Sequence, residues 1–187
     1  MQGMAKLEIE TKARLVEREA VMQKLESLGC VLGEPKTQDD TVFAAKTATL
    51  EEFLSNDVFL RIRIQDGQKV VLTAKKPVRK SAEVLVKHEH ETVVESAEQT
   101  RAILELMGLV PVVRTVKVRR TGHVGTYEVC IDDIEGLGSF IELEVMGDAE
   151  NAERVQAEMG EFLASLGINA SERVTKGYDI LMLEQQQ

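Results

Sequence analysis

Leu7-Glu8-Ile9-Glu10-Thr11-Lys12-Ala13 alternates in steps of two, and its reading decides the fold. Successive side chains of a strand point to opposite sides, so a strand here sets Glu8, Glu10 and Lys12 on one face. The same period recurs downstream. It places Arg61 and Arg63 together on a predicted strand over 58–64, Lys75 on 68–75, and Lys87, Glu89 and Glu91 on 83–93. Lys117 and Arg119 share a face over 111–120, Glu128 and Asp132 over 126–134, and Glu142 and Glu144 over 139–146. A further strand is expected over 38–45, while 47–56, mixed in pattern, reads as a loop or short helical excursion.

Turn chemistry punctuates these runs. Asp66-Gly67 between two hydrophobic stretches is a strong hairpin signal, Pro77 is expected to end its ladder, and Gly136-Leu137-Gly138 links the last two strands. Helical patterns fill the gaps. One spans 17–28, with Ala20, Val21, Leu25 and Leu28 on one side and Gly29 as its stop. A second follows the capping-box pair Ser96 and Gln99 and carries Ile103, Leu104 and Met107 before Gly108. The third covers 148–166 and ends at Gly167. The Leu28-Gly29 and Met107-Gly108 echo hints at two related halves. About eight mostly antiparallel strands with helices between groups make the class α+β, and 187 residues with 43% hydrophobic content suit one domain.

An open antiparallel sheet routinely alternates apolar-in and polar-out, which accounts for any one of these strands alone. Taken together they favour an inside-out barrel. The charges are bulky Arg, Lys and Glu, their signs are grouped by strand, and three helices are available to cover the apolar face. Charged faces lining a lumen cost desolvation unless ions or ligands compensate. Carboxylates two apart on a strand lie roughly 7 Å apart on one face, within reach of one hard cation or a neighbouring pair, and oxygen-only ligands select Mg²⁺ or Mn²⁺. Converging Lys and Arg then suit phosphate oxygens. Metal and cations together imply a polyphosphate.

Other classes are disfavoured. A net charge of −9 argues against a broad nucleic-acid or anionic-membrane surface. No run approaches the roughly 20 apolar residues of a membrane helix, and the charged N-terminal stretch is unlike a signal peptide, so a cytoplasmic protein is expected. Cys30 and Cys130 lie far apart without C-x-x-C spacing and read as buried thiols. No Walker-type phosphate loop, dinucleotide fingerprint or nucleophile elbow occurs. Tyr127 and Tyr178 read as packing residues, and His88 and His90 as an exposed or helix-covered pair rather than a metal site.

Several of these residues also carry a family resemblance. Glu8-Ile9-Glu10-Thr11-Lys12 matches the E-x-E-x-K signature that opens CYTH (triphosphate tunnel) proteins. It is joined, in the family's order, by Leu60-Arg61-Ile62-Arg63, Leu72-Thr73-Ala74-Lys75-Lys76-Pro77, Lys117-Val118-Arg119 and the run from Ile131 to Glu144. The chain resembles that family over about 4–183, nearest its class IV adenylyl cyclase branch, with 184–187 as a short polar tail. The resemblance implies an eight-stranded antiparallel β-barrel with flanking helices. It implies Glu8, Glu10, Glu142 and Glu144 as ligands of Mg²⁺ or Mn²⁺, with Asp132 as a further acidic position supporting metal or the reacting oxygen. Lys12, Arg61, Arg63, Lys75, Lys87, Lys117 and Arg119 fall where the family binds triphosphate, and Lys12 and Asp132 are the candidate catalytic residues. Gln38-Asp39-Asp40-Thr41-Val42-Phe43 resembles that branch's Q-x-D-x-Y-F, with Val42 in place of tyrosine, and Gly177-Tyr178 replaces a more usual Ser-Tyr.

The expected reaction is cyclisation of ATP to cyclic AMP and pyrophosphate. The alternative is hydrolysis of inorganic triphosphate, thiamine triphosphate or a nucleoside triphosphate by the same groups, and a third reading is a non-catalytic triphosphate sensor. The expected partner is the small-molecule triphosphate, with no nucleic acid and no membrane, and a homodimer is compatible with the resemblance.

Overall fold

The structure, a computed structural model, describes residues 7–45, 59–80 and 85–185, without the side chains at 7, 59, 77–80, 85–88 and 149. The stretch 47–56, expected as a loop or helical excursion, lies outside the described residues, as do 83 and 84 of the fifth predicted strand.

Among the described residues nine strands form one sheet: β1 (Leu7–Arg14), β2 (Lys36–Ala45), β3 (Phe59–Gln65), β4 (Lys69–Lys80), β5 (Leu85–Val94), β6 (Leu109–Val124), β7 (Tyr127–Ile134), β8 (Gly138–Gly147) and β9 (Arg173–Val174). Their order is β5-β4-β3-β2-β6-β7-β8-β1-β9, and β5 also pairs with β1. All pairings are antiparallel. The free edge of β1 is divided: Glu8 to Glu10 pair with β5, and Lys12 and Ala13 with β9. Strands β1 to β8 therefore curl round on themselves, in the barrel-like eight-stranded arrangement expected, and the two-residue β9 is an addition.

Among the described residues four α-helices pack on this sheet: α1 (Arg18–Ser27), α2 (Ala97–Leu106), α3 (Ala152–Ser165) and α4 (Tyr178–Gln185). Val21 and Leu25 of α1 and Met159 and Leu163 of α3 bury the odd-numbered residues Ile9, Ala13, Val129, Ile131, Ile141 and Leu143. Leu104 of α2 does the same for Phe43, Ile62 and Val70. Each fully buried aliphatic side chain contributes about 1.5–3 kcal/mol, so this outer core stabilises the fold and leaves the other face of each strand, even-numbered on β1, β2, β7 and β8 and odd-numbered on β3 to β6, to point inward. Tyr178 of α4 packs with Ile134, Leu137 and Phe140. The C-terminal segment thus meets the inward face of β8.

Local chemistry accounts for the boundaries. Asp66 and Gly67 have φ of 50° and 67°, as a type I′ hairpin turn requires, and Asp66 Oδ1 accepts the Thr37 N–H at 2.8 Å. Helix α1 ends with the Cys30 N–H donating to the Leu25 carbonyl at 2.9 Å across Gly29, and α3 ends with Ile168 donating to Leu163 at 3.1 Å across Gly167. Ser96 Oγ accepts the Gln99 N–H at 3.1 Å, capping α2.

Three expectations are corrected. Pro77 does not end its ladder: β4 runs to Lys80, with a register shift between Pro77 and Arg79 that accommodates the missing N–H. Helix α1 buries Val21 and Leu25 but leaves Ala20 and Leu28 exposed, and α2 buries Thr100 and Leu104 while Ile103 and Met107 face out. The helix expected over 148–166 is a 3₁₀ turn at Ala149–Asn151 followed by α3. Helix α4 ends at Gln185, and 186–187 of the tail expected over 184–187 lie outside the described residues.

Candidate functional site

Strand register brings the inward-facing charges into rows. Glu144 of β8 lies directly opposite Glu10 of β1 on one side and Glu128 of β7 on the other. The next row sets Glu142 between Lys12 and Cys130. Like charges directly opposite each other in a sheet are destabilising, so the row Glu10, Glu144, Glu128 demands positive charge nearby.

Neighbouring cations supply part of it. Lys12 Nζ lies 2.7 Å from Glu142 and 3.8 Å from Glu10. Arg119 grips Asp132 with two hydrogen bonds of 2.6 and 2.7 Å, pairs with Glu142, and reaches Glu144 at 3.3 Å. Lys117 donates to Asp132 at 3.3 Å. On the opposite wall Lys75 lies 2.5 Å from Glu89 and 3.5 Å from Glu8, and Arg61 lies 3.3 Å from Glu91. Asp132 is fully buried, and Glu10, Lys12, Lys117 and Glu142 are each at most 5% exposed.

Crowding separates the carboxylates into two kinds. Burial lifts Glu142, but Lys12, Arg119 and Lys117 overcome it and hold this group well below the ordinary carboxylate range. Burial raises Glu144, and Glu142 raises it further against the pull of Arg119. Glu8 is pushed up to about 7 by burial, which Lys75 opposes and Glu144, Glu89 and Glu10 reinforce. Among the cations, burial draws Lys12 down but Glu142 and Glu10 more than offset it. Lys117 falls to about 8, through burial and the neighbouring Arg119. Glu8 and Glu144 are thus anionic positions short of positive charge, an all-oxygen donor set that fits a hard divalent cation.

Of the sequence-derived residues, Glu8, Glu10, Lys12, Arg61, Lys75, Lys117, Arg119, Asp132, Glu142 and Glu144 all join this network. Arg63 joins through Asp40, with hydrogen bonds of 2.7 and 2.8 Å. Lys87 sits in β5 opposite Glu8, but its side chain is outside the described residues. His90 is exposed, and the side chain of His88 is likewise outside the description.

Three features were not singled out from sequence. Asp40 binds Arg63 through both oxygens and lies 3.6 Å from Arg61. Its signal was the two-residue period within Gln38-Asp39-Asp40, since neighbouring Asp39 faces out and binds Arg114. Thr73, fully buried, donates to Glu91 at 2.9 Å and accepts from Arg61 at 3.1 Å. Tyr178, read as a packing residue, does pack edge-on against Phe140, and it also presents its ring to Lys12 and Lys117, whose nitrogens lie 4.4 and 5.1 Å from its centroid. Gln38 Oε1 and Thr115 Oγ1 are buried without a protein partner among the described residues.

Comparison with known proteins agrees with this architecture. A protein of Methanocaldococcus jannaschii named “putative adenylate cyclase” is 31% identical over 173 residues, covering 92% of this chain and 96% of that protein. A solved structure from Pyrococcus horikoshii superposes with a TM-score of 0.82 at 24% identity, covering 95% of this chain and 99% of the other. A Hippeastrum protein, described as a “putative adenylyl cyclase” with a dominant triphosphatase activity, superposes with a TM-score of 0.65 at 20% identity over 97% and 96% of the two chains. The CYTH domain family matches residues 6–178, and with that match over most of its length the chain belongs to the CYTH family.

Proposed function

We propose that the protein is a metal-dependent enzyme acting on a triphosphate held inside the curled sheet, with cyclisation of ATP to cyclic AMP and pyrophosphate as its leading reaction. The observation carrying this reading is the composition of the inward face. Among the described side chains, six cations (Lys12, Arg61, Arg63, Lys75, Lys117 and Arg119) stand among nine carboxylates (Glu8, Glu10, Asp40, Glu89, Glu91, Glu128, Asp132, Glu142 and Glu144). A polyanion entering such a wall alone meets net repulsion, whereas one arriving with divalent cations meets complementary charge.

Glu8, Glu10, Glu142 and Glu144 would hold Mg²⁺ or Mn²⁺, supported by Asp132. When bound, the metal would polarise phosphate oxygens and favour ionisation of the attacking hydroxyl. Arg61, Arg63, Lys75, Lys87, Lys117 and Arg119 would bind the triphosphate, Arg by its planar fork and Lys as a point charge. Asp132 would orient the ribose 3′-hydroxyl through a hydrogen bond, and Lys12 would stabilise charge developing on the leaving pyrophosphate. The 3′-oxygen to α-phosphorus bond forms, the bond between the α- and β-phosphoryl groups breaks, and the hydroxyl proton passes to solvent. The 31% identical M. jannaschii relative named “putative adenylate cyclase” supports this choice. The catalytic unit would be residues 4–183, working in the cytoplasm.

Hydrolysis of a triphosphate is the second reading, favoured by the state of Tyr178. Its ring lies against Phe140, Lys12 and Lys117 rather than open to a purine, and the Hippeastrum structure's description names a dominant triphosphatase activity. Phosphorus NMR of the purified protein with ATP, thiamine triphosphate or tripolyphosphate tests both readings, in Mg²⁺ or Mn²⁺ with EDTA as control. Cyclic AMP with pyrophosphate supports cyclisation and orthophosphate supports hydrolysis. Absence of metal-dependent turnover with all three overturns the enzymatic reading.

A further inference from the structure

We propose that Glu128, Cys130 and Glu144 form a second, overlapping site for a borderline-soft divalent cation of the zinc class, with His123 at its rim. Their ligand atoms, two carboxylate oxygens and one thiol sulfur, all lie within 4.8 Å of one another. The set comes from two adjacent strands: Glu128 pairs with Glu144 across β7 and β8, and Cys130 follows Glu128 on the same face. His123 pairs with Glu128 from β6, with its Nε2 4.0 Å from the carboxylate. A cavity of about 180 Å³ opens beside the cluster, lined by Glu8, His123, Thr126, Glu128 and Glu144. It gives an ion a way to the two carboxylates and room for water, with the fully buried Cys130 outside its lining.

Three arguments assign the ion's chemistry. First, Glu128 and Glu144 are directly opposed like charges, a costly arrangement that a bound cation relieves. Second, the donor set includes sulfur, with the exposed His123 imidazole 4.0 Å from Glu128. Thiolate and imidazole favour zinc-like ions, whereas Mg²⁺ and Mn²⁺ favour oxygen alone. Third, the spacing is right. A tetrahedral zinc site has ligand atoms roughly 3.3–3.5 Å apart. Cys130 Sγ already lies 3.7 Å from Glu128 Oε1, so closure requires shifts of about 1 Å in flexible carboxylates. On binding, Cys130 becomes a thiolate and its proton passes to solvent.

Glu144 is shared with the magnesium or manganese ligands named under the proposed function. An ion at this second site therefore removes a ligand from the first and inhibits turnover. That consequence rests on the functional reading; the binding itself does not.

The test uses the full chain stripped of metal, without nucleotide, titrated with Co²⁺ as a spectroscopic stand-in for zinc. A thiolate-to-cobalt charge-transfer band saturating at one equivalent and bleached by Zn²⁺ is expected. Cys130→Ser abolishes the band, Cys30→Ser retains it, and Glu128→Gln weakens Co²⁺ binding by at least about tenfold. No band in the wild type, or a band that survives Cys130→Ser, overturns the proposal. X-ray absorption on the zinc-loaded wild type gives a test independent of any variant's folding. One sulfur at about 2.3 Å is expected, and an oxygen and nitrogen shell without sulfur refutes the site.

Discussion

Glu142 and Glu144 sit two residues apart on β8, yet their replacement by glutamine should have opposite consequences for the metal-free protein. Glu142 holds Lys12 at 2.7 Å and pairs with Arg119. Removing one partner of a buried ion pair costs about 3–5 kcal/mol. Lys12 keeps Glu10 at 3.8 Å and Arg119 keeps both hydrogen bonds to Asp132, which lowers the expected loss to about 2–4 kcal/mol. For a 187-residue chain, at about 2–4 °C per kcal/mol, Glu142→Gln should lower Tm by about 4–16 °C. Glu144 is surrounded by Glu142, Glu10 and Glu128, with Arg119 pairing to it at 3.3 Å. Glu144→Gln relieves that repulsion, so it should leave Tm unchanged or raise it by about 1–3 °C. Scanning calorimetry in EDTA at neutral pH reads both. Saturating Mg²⁺ then completes the pattern: at a hundredfold excess over Kd the wild type gains about 2.7 kcal/mol, and Glu144→Gln gains little. Equal losses from the two substitutions, or a larger loss from Glu144→Gln, would refute the division of these carboxylates into one held by neighbouring cations and one crowded by like charges.

Other consequences follow from the same geometry. Lys75→Ala should weaken metal-dependent tripolyphosphate binding at least about tenfold, the loss of one charge-assisted contact, while exposed Lys76→Ala leaves it near wild type; equal effects by calorimetric titration would mean the facing of β4 is wrong. Asp40→Asn removes an anion from the phosphate-facing wall but frees Arg63 and Arg61 from their alignment, so triphosphate affinity should fall despite the gain in positive charge, and a rise would show that Asp40 positions neither. Lys117 is held near 8, below its ordinary 10.5, so between those values the unfolded chain binds the proton more tightly and stability should rise with pH. Urea denaturation of the metal-free protein should accordingly show wild type gaining on Lys117→Met from pH 8 to 10, and a gap that widens against the wild type contradicts the assignment. Gly122→Ala would bring its Cβ to 2.8 Å from the Val31 carbonyl and 2.9 Å from Cys30 Sγ, an overpacking expected to cost about 1–3 kcal/mol by the same denaturation assay.

The charged faces were legible because a strand's period of two needs no tertiary information: Glu8, Glu10 and Lys12 fall on one side whichever strand they pair with. What lay beyond the sequence was phase and partnership. Asp39 and Asp40 are chemically identical neighbours, and only the pairing of Asp40 with Arg63 across β2 and β3 shows which one turns inward. Tyr178 meets Lys12 and Lys117 only because β9 pairs beside Lys12 and delivers α4 to the same end of the sheet. Two residues of strand left no period to read. The helix faces erred for a related reason. Apolar Ile103 and Met107 follow the helical spacing, but α2 lies on β3 and β6 through Leu104 and Thr100, and the sheet rather than the spacing selects the buried stripe. Pro77 was misread because a register shift lets β4 continue past it, a choice made by the partner strand β5.

The central claim, that divalent cations and a triphosphate assemble together on this inward face, is tested most directly by calorimetric titration of the purified protein with tripolyphosphate, with Mg²⁺ or Mn²⁺ and again in EDTA. The account expects one binding event per chain that requires the metal and is lost in Glu144→Gln. Binding of equal strength in EDTA, or none under either condition, would contradict it.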